Sequence, residues 1–467
     1  MSRIFITLAL ALALTGCQRA GRYPAPNAKA PKEKAEVKAV WGWAFPDRPP
    51  RDLPIRFVAD DQLEWPTLPA FWNMVPHPMA GLRTIHVNQS PLSILTAFAL
   101  LDSSESIAIK VPLGLPDPTP LIPECNPPTF GKWRLGKKIF FDPVLTAGTN
   151  VHSCAECHQP RHGFTEADFI SLEGTRNTLS LLNVAFNRSQ FWDGRVRSLE
   201  EVLMPSLDDE LEGGASRVKV LSMHRFGGVA RKLNQDPYYR EQFRLVFGID
   251  RVTQDAVAKA LATYLRTILS GDSLYDRAVV RGFKAALDDA AMKRLGSAVD
   301  GMTREQATER LIQGHAVYAG KGGCATCHPI GLFTDGLYHN VLVEDSAESQ
   351  AVSGKETGRF AVLPIGLKDP AMRGAYRTPT LRNLSATPPY FHNGTRKELS
   401  EAVDHFRRSL DKDAPLLAKP LRDLLAGVHV ERPIVNPSLF TLDEAAALLL
   451  FLRSLDGQAV DPMVSNR

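Results

Sequence analysis

Two pentapeptides constrain this chain more than anything else in it: Cys154, Cys157 and His158 in the first, Cys324, Cys327 and His328 in the second, each spaced Cys-x-x-Cys-His and standing 170 positions apart. Two thiols at that spacing can add across the two vinyl groups of one porphyrin, and the histidine beside the second thiol then lies beneath the iron. The reading is two haem c groups, attached through Cys154, Cys157, Cys324 and Cys327 and ligated by His158 and His328. A zinc ribbon would bring its two knuckles much closer together and would need no histidine after each. A thioredoxin-like dithiol does not explain two motifs each followed by histidine. Of the six cysteines, Cys17 and Cys125 remain. With Cys17 assigned below to an anchor, Cys125 is expected to be unpaired and to pack as a small hydrophobe.

The two motifs head a repeat. Leu181 to Asn183, Phe191 to Gly194 and Leu199 to Val202 recur as Leu381 to Asn383, Phe391 to Gly394 and Leu399 to Ala402, at a constant offset of 200. Upstream, Gly136 to Phe140 is echoed by Gly314 to Tyr318, and Gly163 to Thr165 by Leu332 to Thr334. A gapless internal repeat of this kind predicts two homologous haem domains. About thirty additional residues, including Gly354 to Phe360, separate His328 from the second repeat segment. Thr253 is placed to cap a helix running to Leu269, and Thr441 with Glu444 forms a capping box ahead of Ala445 to Leu455.

Composition excludes several alternatives. With 55 Lys plus Arg against 51 Asp plus Glu, a formal charge of +4 and 44% hydrophobic residues, the chain is neither disordered nor a polybasic nucleic-acid binder. Arg3, the apolar run Ile4 to Leu14 and the sequence Leu14 to Cys17 resemble a bacterial lipoprotein leader, too short to span a bilayer and cleaved before Cys17. An ordinary secretory leader is the alternative. Either form predicts export, and Gln18 after a lipid-bearing Cys17 favours the periplasmic face of the outer membrane. The expected organisation is a leader over 1–16, a tether over 17–40, a Trp/Pro-rich extension over 41–110 whose apolar residues lie on the first haem domain, then haem domains over 111–290 and 291–467. The fold class is mainly α, two cytochrome c-like domains in tandem with an irregular N-terminal extension.

Taken together, the duplicated motif, the segment Leu135 to Pro143, Phe191 to Arg195, and Thr378 to Asn383 with Pro389 to Gly394 resemble the bacterial di-haem cytochrome c peroxidase and MauG superfamily over residues 110–457. The resemblance implies that hydrogen peroxide reacts at the first haem, that the second handles electrons, and that Trp192 relays them. It places Glu210, with Glu212 as substitute, as the acid-base group that moves the proton between the peroxide oxygens. Phe169 falls where peroxidases carry a second histidine ligand and His162 is too close to His158 to replace it, so the first haem is expected to be five-coordinate. At the second haem Phe406 falls on the sixth-ligand position, leaving His405 as the candidate and Met372, His339 and Met463 as weaker ones. A calcium ion between the domains is implied through Asn177 and the backbone at Thr378.

The functional expectation is a peroxidase fed by a small periplasmic cytochrome c or cupredoxin. The alternatives are a MauG-like enzyme that oxidises residues of a partner protein, and a di-haem electron carrier without peroxidase activity. A homodimer is usual in the peroxidase branch; nucleic acid is no partner.

Overall fold

The computed structural model describes residues 52–59, 72–73, 107–143, 153–166, 176–202, 226–343, 357–409, 439–460 and 462–465. These residues are largely helical with few strands. Cys17, Phe169, Glu210 and Glu212 lie outside them.

Two helix pairs carry the cores. The first crosses Phe130–Phe141 with Gln254–Leu265, and the second crosses Arg304–Ala319 with Leu442–Arg453. Each crossing has a glycine at its closest point. A Cβ on Gly136 would stand 2.0 Å from the Ala260 carbonyl oxygen, and one on Gly314 would stand 2.1 Å from that of Ala447. Only glycine lets these backbones approach so far. An aromatic trio then fills each crossing. Phe140 meets Tyr264 at 5.1 Å between ring centroids and Phe164 at 6.2 Å; Tyr318 meets Phe451 at 5.0 Å and Phe333 at 6.0 Å. All six rings are fully buried, each contributing about 1.5–3 kcal/mol of apolar transfer.

The expected caps form. Thr253 accepts from the Ala256 N–H, and Thr441 and Glu444 bond each other reciprocally. The first of these helices stops at Leu265, short of the expected Leu269. Asn183 takes the backbone beyond it: its N–H donates to the Ile268 carbonyl, its Nδ2 donates to the Ser270 carbonyl, and its Oδ1 accepts from the Ser270 N–H. Those groups cannot also serve a helical ladder.

Of the extension, residues 52–59, 72–73 and 107–110 are described, and they hold three short strands. Ile55–Ala59 pairs in parallel with Ile107–Val111, which also pairs antiparallel with Trp72–Asn73. The strand Ile107–Val111 crosses the boundary expected at residue 110, and Leu53, Ile55, Ile109 and Val111 enter the same core as Phe130 and Trp133. Cys125 also departs from expectation. It is half-buried and disulfide-bonded, with its partner outside the described residues.

Candidate di-haem site

Both histidines of the pentapeptides are held the same way. His158 Nδ1 lies 3.1 Å from the Phe164 carbonyl and His328 Nδ1 2.9 Å from that of Phe333. A carbonyl oxygen only accepts, so Nδ1 carries the proton and Nε2 keeps a free lone pair. Burial pulls both imidazoles below their ordinary pKa, favouring the neutral form that a metal needs. Phe164 and Phe333 adopt φ of +57° and +54°, an unusual conformation for a bulky residue. The aromatic trios described above hold both rings in the cores, so each carbonyl is turned onto its histidine by packing. The cysteine thiols of both motifs are unbridged. Donor set, tautomer and burial therefore fit two covalently attached haems.

An acidic residue accompanies the second cysteine of each motif. Glu166 lies beside Cys157 and accepts from the Thr178 hydroxyl at 2.8 Å, and burial raises its pKa. Its counterpart Asp335 lies beside Cys327 and bonds His339 Nε2 at 2.7 Å; although burial opposes ionisation, that bond keeps the carboxyl below its ordinary range.

The loop carrying Trp192 joins the two halves. The Trp192 side chain is buried, its Nε1–H donates to the Asn177 carbonyl at 2.8 Å, and its ring lines an apolar cavity over His328. The backbone N–H of Arg377 donates to the Trp192 carbonyl at 2.7 Å, and that of Asn177 donates to the His392 carbonyl at 2.7 Å. These are one bond written twice at the offset of 200. Arg359, from the insertion after His328, donates to the carbonyls of Asp193 and Gly194 at 2.8 and 2.7 Å. Gly194, at φ +65°, leaves room for the Tyr338 hydroxyl, which would stand 1.7 Å from a Cβ. Asp193 is buried between Arg176 and Arg195, at 2.7 and 2.9 Å.

Other expected residues are placed differently. His405 is not among the residues lining the cavity: its Nε2 lies 2.9 Å from the Val341 carbonyl and its ring packs on Phe391 and Phe406. Phe406 and His339 do line it; Met372 does not, and the Met463 side chain lies outside the described residues. His162 Nδ1 is engaged by Gln159 Oε1 at 2.8 Å. Asn177 Nδ2 reaches the Pro389 and Phe391 carbonyls, at 2.5 and 3.2 Å, and not Thr378. The Thr378 carbonyl instead accepts from the Thr334 hydroxyl at 2.6 Å. Sequence reasoning overlooked Tyr376, Arg377 and His392, which also line the cavity. The repeat register pointed to His392, the counterpart of Trp192.

The family profile described as "Di-haem cytochrome c peroxidase" matches residues 131–285. The methylamine utilization protein MauG of Methylorubrum extorquens is 32% identical over 366 residues, spanning 75% of this chain and 91% of that protein. The cytochrome-c peroxidase IdrP1 of a Pseudomonas species is 31% identical, spanning 73% of this chain and 92% of its own. This chain belongs to the di-haem cytochrome c peroxidase and MauG superfamily. As a di-haem peroxidase-like oxidoreductase it implies two haem c groups. Among solved structures, a MauG-like protein associated with microbial copper homeostasis superposes with a TM-score of 0.52 at 23% identity, covering 73% of this chain and 93% of that one. That likeness supports the same fold for this di-haem protein. No helix among the described residues is long and apolar enough to cross a membrane.

Proposed function

We propose that the protein is an exported di-haem c peroxidase in which hydrogen peroxide is reduced at the site of His158 and electrons pass through Trp192 to and from the site of His328. The observation that carries this reading is the position of Trp192. It belongs to the first repeat, yet its indole lines the cavity of the second motif. Bound through Cys154, Cys157 and His158, haem iron would supply the redox chemistry for splitting the O–O bond. The overall balance is one peroxide, two electrons and two protons giving two waters.

The chain's own residues do the rest. His158 presents Nε2 while the Phe164 carbonyl on Nδ1 fixes the ring and raises its basicity. Glu210, or Glu212 in its place, takes the proton from one peroxide oxygen and returns it to the other. Trp192 is locked by its Nε1–H bond to Asn177 and by the Arg377 N–H on its carbonyl, so its ring keeps one orientation. A reduced small cytochrome c or cupredoxin supplies the electrons. The calcium ion that the resemblance implies would be held by the Asn177 side-chain oxygen and the backbone at Thr378.

A second reading, oxidation of residues on a partner protein, is favoured by the cavity over His328, whose lining among the described residues contains no methionine. Low-temperature electron paramagnetic resonance of the ferric protein, before and after one equivalent of peroxide, tests both. A high-spin signal that disappears with peroxide supports an open, reactive first haem. Two low-spin signals indifferent to peroxide would overturn the open first haem and leave an electron carrier or an enzyme activated only on reduction. Steady peroxide-dependent oxidation of a reduced cytochrome then separates the first reading from the second.

A further inference from the structure

The loop over residues 187–195 is surrounded by guanidinium groups from Arg176, Arg195, Arg359 and Arg377. Arg176 and Arg195 share the Asp193 carboxylate, and Arg359 is satisfied by two carbonyls. Arg377 differs. It is only 5% exposed, and its side chain reaches neutral acceptors alone, the Phe191 carbonyl at 3.4 Å and Asn187 Oδ1 at 3.3 Å. No carboxylate among the described residues lies within ion-pair distance of it. A guanidinium keeps its charge when buried, so a buried one needs an anion. Arg377 lines the cavity with His328, where among the described residues it is the one lysine or arginine and no aspartate or glutamate lines it.

We propose that Arg377 is the counter-ion of a haem propionate in the second cavity. The proposal rests on reading that cavity as the site of the haem attached at Cys324 and Cys327. A planar fork of donors suits a carboxylate, and the porphyrin carries carboxylates into an apolar space where the described residues offer Arg377 no anionic partner. The same residue's backbone N–H holds the Trp192 carbonyl, so filling the cavity also fastens the relay loop of the first repeat. In the first repeat the equivalent position is Asn177, whose uncharged side chain donates to the Phe391 carbonyl much as Arg377 Nε donates to that of Phe191.

The test compares the matured wild-type protein with Arg377→Gln and Arg377→Lys. Haem content is measured by the pyridine haemochrome assay, and the potential of each haem by spectroelectrochemical titration. A nearby cation stabilises the reduced haem. Arg377→Gln should therefore keep two haems per chain while the second haem's potential moves negative and the first stays in place, and Arg377→Lys should restore most of the shift. Two haems with an unchanged second potential in Arg377→Gln, or equal shifts at both haems, would overturn the pairing. A wild-type protein without haem at Cys324 and Cys327 would overturn the reading of the cavity and the pairing with it. Should Arg377→Gln not fold, Arg377→Lys decides through the resonance Raman bending band of the propionate, which follows its hydrogen bonding. That band shifts when the fork becomes a single ammonium, and stays in place if Arg377 touches no propionate.

Discussion

The backbone N–H of Arg377 donates to the carbonyl of Trp192 across 2.7 Å, joining two residues 185 positions apart in the chain. The mirror-image bond from Asn177 to His392 has the same length. The duplicated halves thus clasp each other through equivalent segments, and each half contributes an aromatic ring to the junction.

Trp192 is expected to be replaceable by phenylalanine without loss of the fold. The Asn177 carbonyl loses one donor, a deficit of about 1 kcal/mol. Electron transfer between the haems should fall by at least about tenfold, equivalent to about 1.4 kcal/mol in the barrier. Stopped-flow oxidation of the reduced protein by peroxide measures this. Transfer at the wild-type rate would remove Trp192 from the relay.

Asp193→Asn leaves Arg176 and Arg195 without their shared carboxylate and should destabilise the protein by about 3 kcal/mol near neutral pH. Burial pushes the Asp193 carboxyl up, but the two guanidiniums outweigh it and hold the pKa below its ordinary value of 3.8. A depressed folded pKa stabilises the protein above the unfolded value, and that contribution is lost as pH falls through the folded one. The gap between wild type and Asp193→Asn in chemical denaturation should therefore shrink as pH drops below the ordinary carboxylate range. A gap independent of pH would mean that charge is not its cause.

Gly314→Ala places a Cβ against the Ala447 carbonyl. Overpacking costs about 1–3 kcal/mol, offset by about 1 kcal/mol of helix propensity. A lower Tm is expected, by about 2–4 °C for each kcal/mol lost. Gly366→Ala, where a Cβ meets nothing within 4 Å, is the control and should leave Tm unchanged.

His405→Ala should leave the low-spin electron paramagnetic resonance signal of the second haem as it is, because the ring points to Val341 and lies outside the cavity lining. Loss of that signal, with a high-spin one in its place, would show that His405 leaves Val341 to bind iron in the mature protein.

Cys125 is disulfide-bonded, and haem attachment at Cys154, Cys157, Cys324 and Cys327 would leave that bridge in competition with the lipid expected on Cys17. Alkylation in denaturant without reductant is expected to leave Cys125 unlabelled. Label on Cys125 together with a diacylglyceryl mass on Cys17 would restore the anchored form.

The pentapeptides, the threonine caps at 253 and 441 and the repeat register were legible because each is a pattern of neighbours along the chain. Gly136 and Gly314 already stood out as repeated positions, although their purpose, contact with a carbonyl on the crossing helix, depends on a partner more than a hundred residues away. The parallel pairing of Ile55–Ala59 with Ile107–Val111 gave no alternating signal, being two short strands separated by nearly fifty residues. His405 and Phe406 show how fine the distinction becomes. Adjacent on one helix, they differ by about a hundred degrees of rotation, and the Val341 carbonyl draws the polar ring out of the cavity while the apolar ring fills it.

What the sequence determined by itself is covalent and local: thiol spacing that suits a porphyrin, a histidine beside it, hydroxyls that cap helices, and a duplication that declares two equivalent units. What only the tertiary structure decided is which groups from distant segments share a cavity and which buried charge finds no opposite. Trp192 lining the cavity of the second motif and Arg377 lacking a carboxylate among the described residues both arise where residues nearly two hundred positions apart meet. Burial and pairing energies belong to such meetings, and a linear pattern does not carry them.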